Sequence, residues 1–320
     1  MKEYFNDQLG ATIQHADGAI MTYDVLGVRH FAAGRVPIVL IGGMTSLRGD
    51  WERLANALAE VRPVLLLDHR GMGDSTYTPA GDEEITIELY ARDIVDLLLH
   101  LKWPRLAICG FSMGGAIAQQ ILLLPFHRTS PVQPYPFEIT HVFLTATLAS
   151  PMRTRGYGLK IRPPPPPKDG IKRTKEEKKE IARPILEATF DENWMNDPRN
   201  KERFEMLLDR MIYGRPAKTI LQQARTLNIL HFDAPHALIS SSIPILVIHG
   251  MNDRVIPFAY SEEILSLIPH ARAVGIGNKR GQVPSLKFGH QWFEYFDVQV
   301  WVGVVEEFMG QGGHAERTKL

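Results

Sequence analysis

Apolar and polar positions along this chain alternate between two kinds of pattern. "VPIVLIGG" (36–43), "PVLLLD" (63–68), "RLAICG" (105–110), "THVFLTATL" (140–148) and "IPILVIHG" (243–250) are short and apolar almost throughout. Such runs predict strands buried on both faces, as in a parallel sheet. "ARAVGIG" (271–277) resumes the same signal. Between these runs the apolar residues fall at helical spacing. Trp51, Leu54, Leu58 and Val61 do so in 50–61, and Leu89, Ile94, Leu97, Leu98 and Leu101 in 86–103. Further helices are predicted over 114–124, 259–268 and 292–309, and a hairpin over 11–26. Strands alternating with amphipathic helices predict an α/β fold: a mostly parallel central sheet flanked by helices, with right-handed crossovers.

One segment breaks the alternation. Between Pro151 and Ser242 no buried strand is predicted. The segment opens on "RPPPPPKDG" (162–170), a stiff polyproline II connection, and continues with "KRTKEEKKE" (172–180), read as a solvated helical face. Asp197 as N-cap, Pro198 at the first position and Gly214 at the end predict a helix over 197–214, and 215–232 reads as a second helix. The expected organisation is therefore a core of residues 1–151 and 237–320 with a helical cap or lid at 152–236.

Composition narrows the function classes. The 320 residues carry 36 basic and 36 acidic side chains, so no net field steers the protein toward nucleic acid or an anionic membrane. No apolar run approaches the roughly 20 residues of a membrane span, and "MKEYFNDQLGATIQHADG" lacks the apolar segment of a secretory signal. The single cysteine, Cys109, rules out an intrachain disulfide framework and fits a reducing, cytoplasmic setting. The 12 histidines show no metal-site spacing with Cys or carboxylates, so neither metal nor cofactor is expected.

The candidate chemistry lies at "GFSMG" (110–114), a G-x-S-x-G pattern with an apolar strand leading in and a helix leading out. A serine in so tight a turn needs small neighbours, and it sits at a helix N-terminus, where free N–H groups favour developing negative charge. Here the chain resembles the α/β-hydrolase superfamily, of the serine-nucleophile esterase and lipase type. The resemblance implies a Ser–Asp–His order. "HGMNDRVIP" (249–257) looks like the family's strand-end H-G-x-x-D and puts Asp253 in the acid position. "KFGHQW" (287–292) puts His290 in the base position, after a stretch (278–288) longer than the family's usual one. His270 is the rival base, while His249 fits a turn role. "DHRGMGDS" (68–75) and "GDW" (49–51) match structural stretches of the family.

A serine triad also needs an oxyanion hole, and the resemblance assigns it to the backbone N–H groups of Met113 and of Met44, in "IGGMTS" (41–46). Ser112, Asp253 and His290 then imply hydrolysis of a carboxylic ester, lactone or thioester through an acyl-enzyme. C–C bond hydrolysis, a cofactor-free perhydrolase activity and a hydrolase-like binding protein with vestigial turnover stay open. Ser112 excludes the Asp nucleophile of related epoxide hydrolases. Cys109 ends an apolar strand and reads as a buried thiol rather than a nucleophile. Trp194, Phe204, Met211 and Tyr213 point to a small-molecule substrate with an apolar acyl or alcohol group. The terminal Thr318–Lys319–Leu320 resembles the S-K-L peroxisomal address, with Thr in place of Ser.

Overall fold

A computed structural model describes residues 7–159 and 173–310. The proline run at 162–170 and the tripeptide Thr318–Lys319–Leu320 lie outside the described residues. The central sheet is built from β1 (Gln8–Gln14), β2 (Ile20–Leu26), β3 (Ile38–Ile41), β4 (Val64–Leu67), β5 (Arg105–Phe111), β6 (Glu138–Thr145), β7 (Ile245–Ile248) and β8 (Arg272–Ala273). These eight strands lie in the spatial order β1-β2-β4-β3-β5-β6-β7-β8. The hairpin β1–β2 joins β4 antiparallel, and every pairing from β4 to β8 is parallel.

The all-apolar strand runs follow from burial on both sides. Val39, Ile41, Leu65, Ile108, Val142 and Val247 face one apolar cluster with α2 (Ile87–Leu101), α3 (Met113–Leu123) and α8 (Ala259–Leu267). Their sequence neighbours Leu40, Leu66, Cys109, Phe143 and Leu246 face the other, with α1 (Glu52–Ala59) and α9 (Val298–Gly310). Helix α2 begins where the Thr86 side chain accepts the Leu89 N–H and ends at Lys102 in the left-handed region (φ 54). Among the described residues no helix is long and apolar enough to cross a membrane.

Between β6 and β7 the described chain holds four α-helices and no strand: α4 (Lys175–Glu187), α5 (Glu192–Asn196), α6 (Lys201–Met211) and α7 (Ala217–Asn228). Within the charged stretch, residues 175–180 are only the start of α4, which runs on through Pro184 and buries Ala182 and Leu186. Two further expectations are corrected. Residues 271–277 do not form one strand: β8 breaks off, and β9 (Gly275–Ile276) pairs in parallel with β10 (Gln282–Val283), of which only β10 lies inside the stretch that exceeds the family's usual length. Residues 292–309 are not one helix. A 3-10 turn at Trp292–Glu294 ends before Phe296, whose φ of 61 halts the helix until α9 starts at Val298.

Candidate active site

Ser112 stands between β5 and α3 with φ 55 and ψ −121, a conformation costing an L-residue on the order of 1–3 kcal/mol. Backbone contacts hold it there. Its N–H donates to the Thr145 carbonyl at 2.9 Å, and its own carbonyl accepts the Thr147 hydroxyl at 2.6 Å. The glycine pattern is a matter of clearance. A Cβ on Gly114 would lie 2.1 Å from the Ile41 carbonyl oxygen, so the turn can press against β3 only without one.

Asp253 follows β7 and His290 precedes the turn at Trp292, and backbone hydrogen bonds fasten their two loops together. The Met251 N–H donates to the Leu286 carbonyl at 2.7 Å and the Asn252 N–H to the Phe288 carbonyl at 3.2 Å. A Cβ on Gly250 would fall 1.9 Å from the Phe288 carbonyl oxygen, which is why glycine follows His249 here. The outcome is a hydrogen-bonded line. His290 Nε2 lies 3.0 Å from Ser112 Oγ, and His290 Nδ1 lies 2.8 Å from Asp253 Oδ2. All three residues are buried. A carboxylate can only accept, so Nδ1 carries the ring proton and Nε2 is left to accept from the Ser112 hydroxyl.

Asp253 Oδ1 accepts the N–H groups of Val255 (2.8 Å) and Ile256 (2.9 Å). Burial alone would push this carboxyl up, but the His290 and His249 rings facing it hold it well below the usual carboxylate range. His249 Nε2 lies 2.9 Å from the Ile256 carbonyl and 3.2 Å from Asp253 Oδ2, so this histidine bonds both the turn and the carboxylate. His270, ahead of β8, is not the ring that bridges Ser112 and Asp253. Cys109 is buried with its thiol pushed up by that burial, which leaves it a poor nucleophile.

The loop after β3 passes directly over the serine: a Cβ on Gly43 would lie 2.8 Å from Ser112 Cβ and 3.3 Å from its Oγ. His69, in the "DHRG" stretch, reaches this loop with Nε2 2.9 Å from the Gly42 carbonyl. Burial lowers its pKa to about 4, so the ring is neutral and donates to that carbonyl. Met113 is the first residue of α3, where no carbonyl of the helix is available to its N–H. Met44 lines the same pocket as Ser112 and His290.

That pocket is also lined by residues the sequence did not single out, among them Leu159, Ile185, Leu186, Thr189 and Phe293. Of the four apolar residues expected there, only Met211 lines it. Trp194 stacks on Phe190 at 3.8 Å, Phe204 is buried against the same ring, and Tyr213 is exposed. Ile185, Leu186 and Thr189 sit at the end of α4 and just after it, where a charged run masks the onset of an apolar face. The space above Ser112 is about 50 Å³; beside it, sharing Thr45, Ile185, Met211 and Arg215 as walls, is a cavity of about 270 Å³ between α4, α6 and α7. Among the described residues, no group of three or more His, Cys, Asp or Glu could hold a metal ion.

Residues 36–279 match a family model described as the alpha/beta hydrolase fold. A putative esterase/lipase of Haemophilus influenzae is 26% identical over 246 residues, covering 72% of each chain. A soluble epoxide hydrolase of a Corynebacterium species is 32% identical over 87 residues, 27% of this chain and 29% of that protein. An enol-lactonase of Burkholderia xenovorans LB400 superposes with a TM-score of 0.66 at 21% identity, covering 94% of this chain and all of that one (100%).

Proposed function

The chain belongs to the alpha/beta hydrolase fold family, and from that premise we propose that it is a serine hydrolase cleaving a carboxylic ester or a lactone. The observation that carries the proposal is the line from Ser112 Oγ through His290 to Asp253, at 3.0 and 2.8 Å. His290 takes the hydroxyl proton as Ser112 attacks the carbonyl, then returns it to the leaving oxygen; Asp253 keeps the imidazole in the required tautomer and stabilises its charged form. The N–H groups of Met44 and Met113 receive the oxyanion, an interaction worth on the order of 10²–10³ in rate per donor. Water then releases the acyl group by the same route in reverse.

Residues 152–236 act in this reading as a cap. The roughly 50 Å³ above Ser112 is far below the several hundred Å³ of an ordinary ligand pocket, so the scissile bond sits there and an apolar portion extends into the adjacent space. Ile181, Ile185, Met211 and Ile220 wall that space. The Corynebacterium relative is named for epoxide hydrolysis, but the elbow of this chain carries Ser112.

The test is labelling by a fluorophosphonate together with turnover of p-nitrophenyl esters. Wild type is expected to label and to hydrolyse the esters, and Ser112→Ala to do neither beyond a residual about 10³–10⁴ above water. A wild-type protein that neither labels at Ser112 nor turns over any ester would end the proposal.

A further inference from the structure

The loop that carries Met44 is held in an unusual way. The next residue, Thr45, has φ 67, in the left-handed region that a β-branched residue avoids. Both of its peptide groups are gripped by the helical segment between β6 and β7. The Thr45 N–H donates to Gln223 Oε1 on α7 at 3.0 Å, and the Thr45 carbonyl accepts from Arg215 Nε at 2.8 Å. Neither partner is free to turn. Gln223 is fully buried, and its amide nitrogen donates to the Tyr90 hydroxyl at 3.1 Å, which fixes Oε1 as the atom facing Thr45. Arg215 donates to both carboxylate oxygens of Asp50, at 2.8 and 2.6 Å. On the core side, His69 holds the Gly42 carbonyl of the same loop.

We propose that Gln223 is a positioning residue for the oxyanion hole. By engaging the Thr45 N–H, with Arg215 on the Thr45 carbonyl, it fixes the peptide plane of the loop. The preceding N–H, that of Met44, is thereby left for the substrate oxygen. The helical segment is then part of the catalytic apparatus and not only a wall around it. This rests on the reading of Ser112 as nucleophile and Met44 as donor. Two isolated hydrogen bonds from a buried glutamine would serve a purely structural role equally well, so the distinguishing property is transition-state selectivity. A loosened donor loses stabilisation only where the oxyanion exists, whereas a loosened fold affects substrate binding and stability as well.

The experiment compares wild type with Gln223→Met, which removes the acceptor, and Gln223→Glu, which keeps one for the Thr45 N–H while the Tyr90 hydroxyl turns to donate. Steady-state kcat and KM are measured on a p-nitrophenyl ester, alongside inhibition by an aryl trifluoromethyl ketone, whose adduct with Ser112 carries an oxyanion. Gln223→Met is expected to lower kcat by roughly 10- to 100-fold, less than outright loss of a donor, with KM within about threefold. Its affinity for the ketone falls by the same factor as kcat/KM, and Gln223→Glu recovers most of the loss. Tyr90→Phe frees the Gln223 amide from its other partner; it decides the matter if Gln223→Met does not fold, with a smaller loss in the same pattern expected.

Unchanged kcat in the folded variants overturns the proposal, as does a fall in kcat that leaves ketone affinity at the wild-type value. Absence of Ser112 labelling in wild type removes the underlying reading. Labelling and turnover in wild type with no effect of the variants removes only the role of Gln223.

Discussion

Replacing Asp253 by Asn tests the orientation of the base with almost no change in shape. Asp253 presents its two oxygens to different partners. Oδ1 accepts two backbone N–H groups, from Val255 at 2.8 Å and Ile256 at 2.9 Å, and Oδ2 accepts from His290 Nδ1 at 2.8 Å. In Asp253→Asn the amide oxygen must take the Oδ1 place. The reverse orientation would set an NH₂ against two buried donors and leave each unpaired, at about 1–3 kcal/mol apiece. The NH₂ therefore faces His290 Nδ1 and forces it to accept. The ring proton moves to Nε2, the atom 3.0 Å from Ser112 Oγ, and nothing remains there to take the hydroxyl proton. A triad with the wrong tautomer loses on the order of 10⁴ in kcat, about 5.5 kcal/mol of transition-state stabilisation. The assay is kcat on a p-nitrophenyl ester across pH 6–9, paired with the rate of fluorophosphonate labelling and the thermal midpoint. Both rates should fall together while KM stays near wild type. A folded Asp253→Asn protein that retains kcat within about tenfold of wild type would refute the assignment of Asp253 as the orienting group.

Two further outcomes follow from the buried groups. His69 has its pKa lowered to about 4 by burial, against about 6.5 unfolded, so between those values the unfolded chain binds a proton that the folded chain refuses. Stability is then fully present above about pH 6.5 and declines as pH falls toward 4, at up to about 1.4 kcal/mol per pH unit for this group. His141 and His236, also lowered to about 4 by burial, act in the same direction, and Asp253 adds its loss only below the unfolded carboxylate range. Urea midpoints at pH 7, 6 and 5 should drop steadily in wild type and less steeply in His69→Gln; a midpoint that rises on acidification contradicts the account. Gly114→Ala gains helix propensity but drives a methyl to 2.1 Å from the Ile41 carbonyl, a backbone atom of a central strand that cannot yield. The expected result is a net loss of about 3 kcal/mol or more, read as a lowered thermal midpoint, and a variant as stable as wild type would show that the turn does not press on β3.

Hydrophobic period reports burial, and the fold was legible wherever burial and backbone conformation coincide. The parallel strands are such a case: residues facing both clusters must all be apolar, so each run declares itself. The 292–309 stretch is the opposite case. Trp292, Phe293 and Trp301 are all buried and fall at helix-compatible spacing, yet the backbone from one to the next is not one continuous helix. Trp301 Nε1 donates to the Tyr295 carbonyl at 2.7 Å and Phe296 takes a positive φ, a local arrangement that leaves no mark on the apolar pattern. At the site, Ser112 and His290 stand 178 positions apart and His290 and Asp253 37 apart; only the sheet order brings the ends of β5 and β7 to one edge. Gln223 left no signal because a lone glutamine on a polar-looking helix reads as solvent-facing, and only the tertiary fold buries it.

The way the helical segment is fastened bears on which of its parts can matter for chemistry. Helices α4 and α6 are joined by pairs that lie largely in water: Lys175 and Lys179 with Asp209, whose side chain is 43% exposed, and Arg183 with Glu205, 41% and 43% exposed. Such solvent-exposed pairs contribute little and weaken further with salt. The contacts of α6 and of the turn before α7 with the core are of another kind. Arg203 donates to both oxygens of Glu294, whose side chain is 2% exposed, and Arg215, 5% exposed, does the same with Asp50. Removing one partner of a buried pair strands the other charge, at about 3–5 kcal/mol. The segment is therefore held most firmly where it meets the loop of Met44 and Thr45, and least firmly along α4, which supplies Ile185 and Leu186 to the roof over Ser112. In the proposed reading, that division would keep the oxyanion geometry fixed while the roof above the space of about 50 Å³ yields to a substrate.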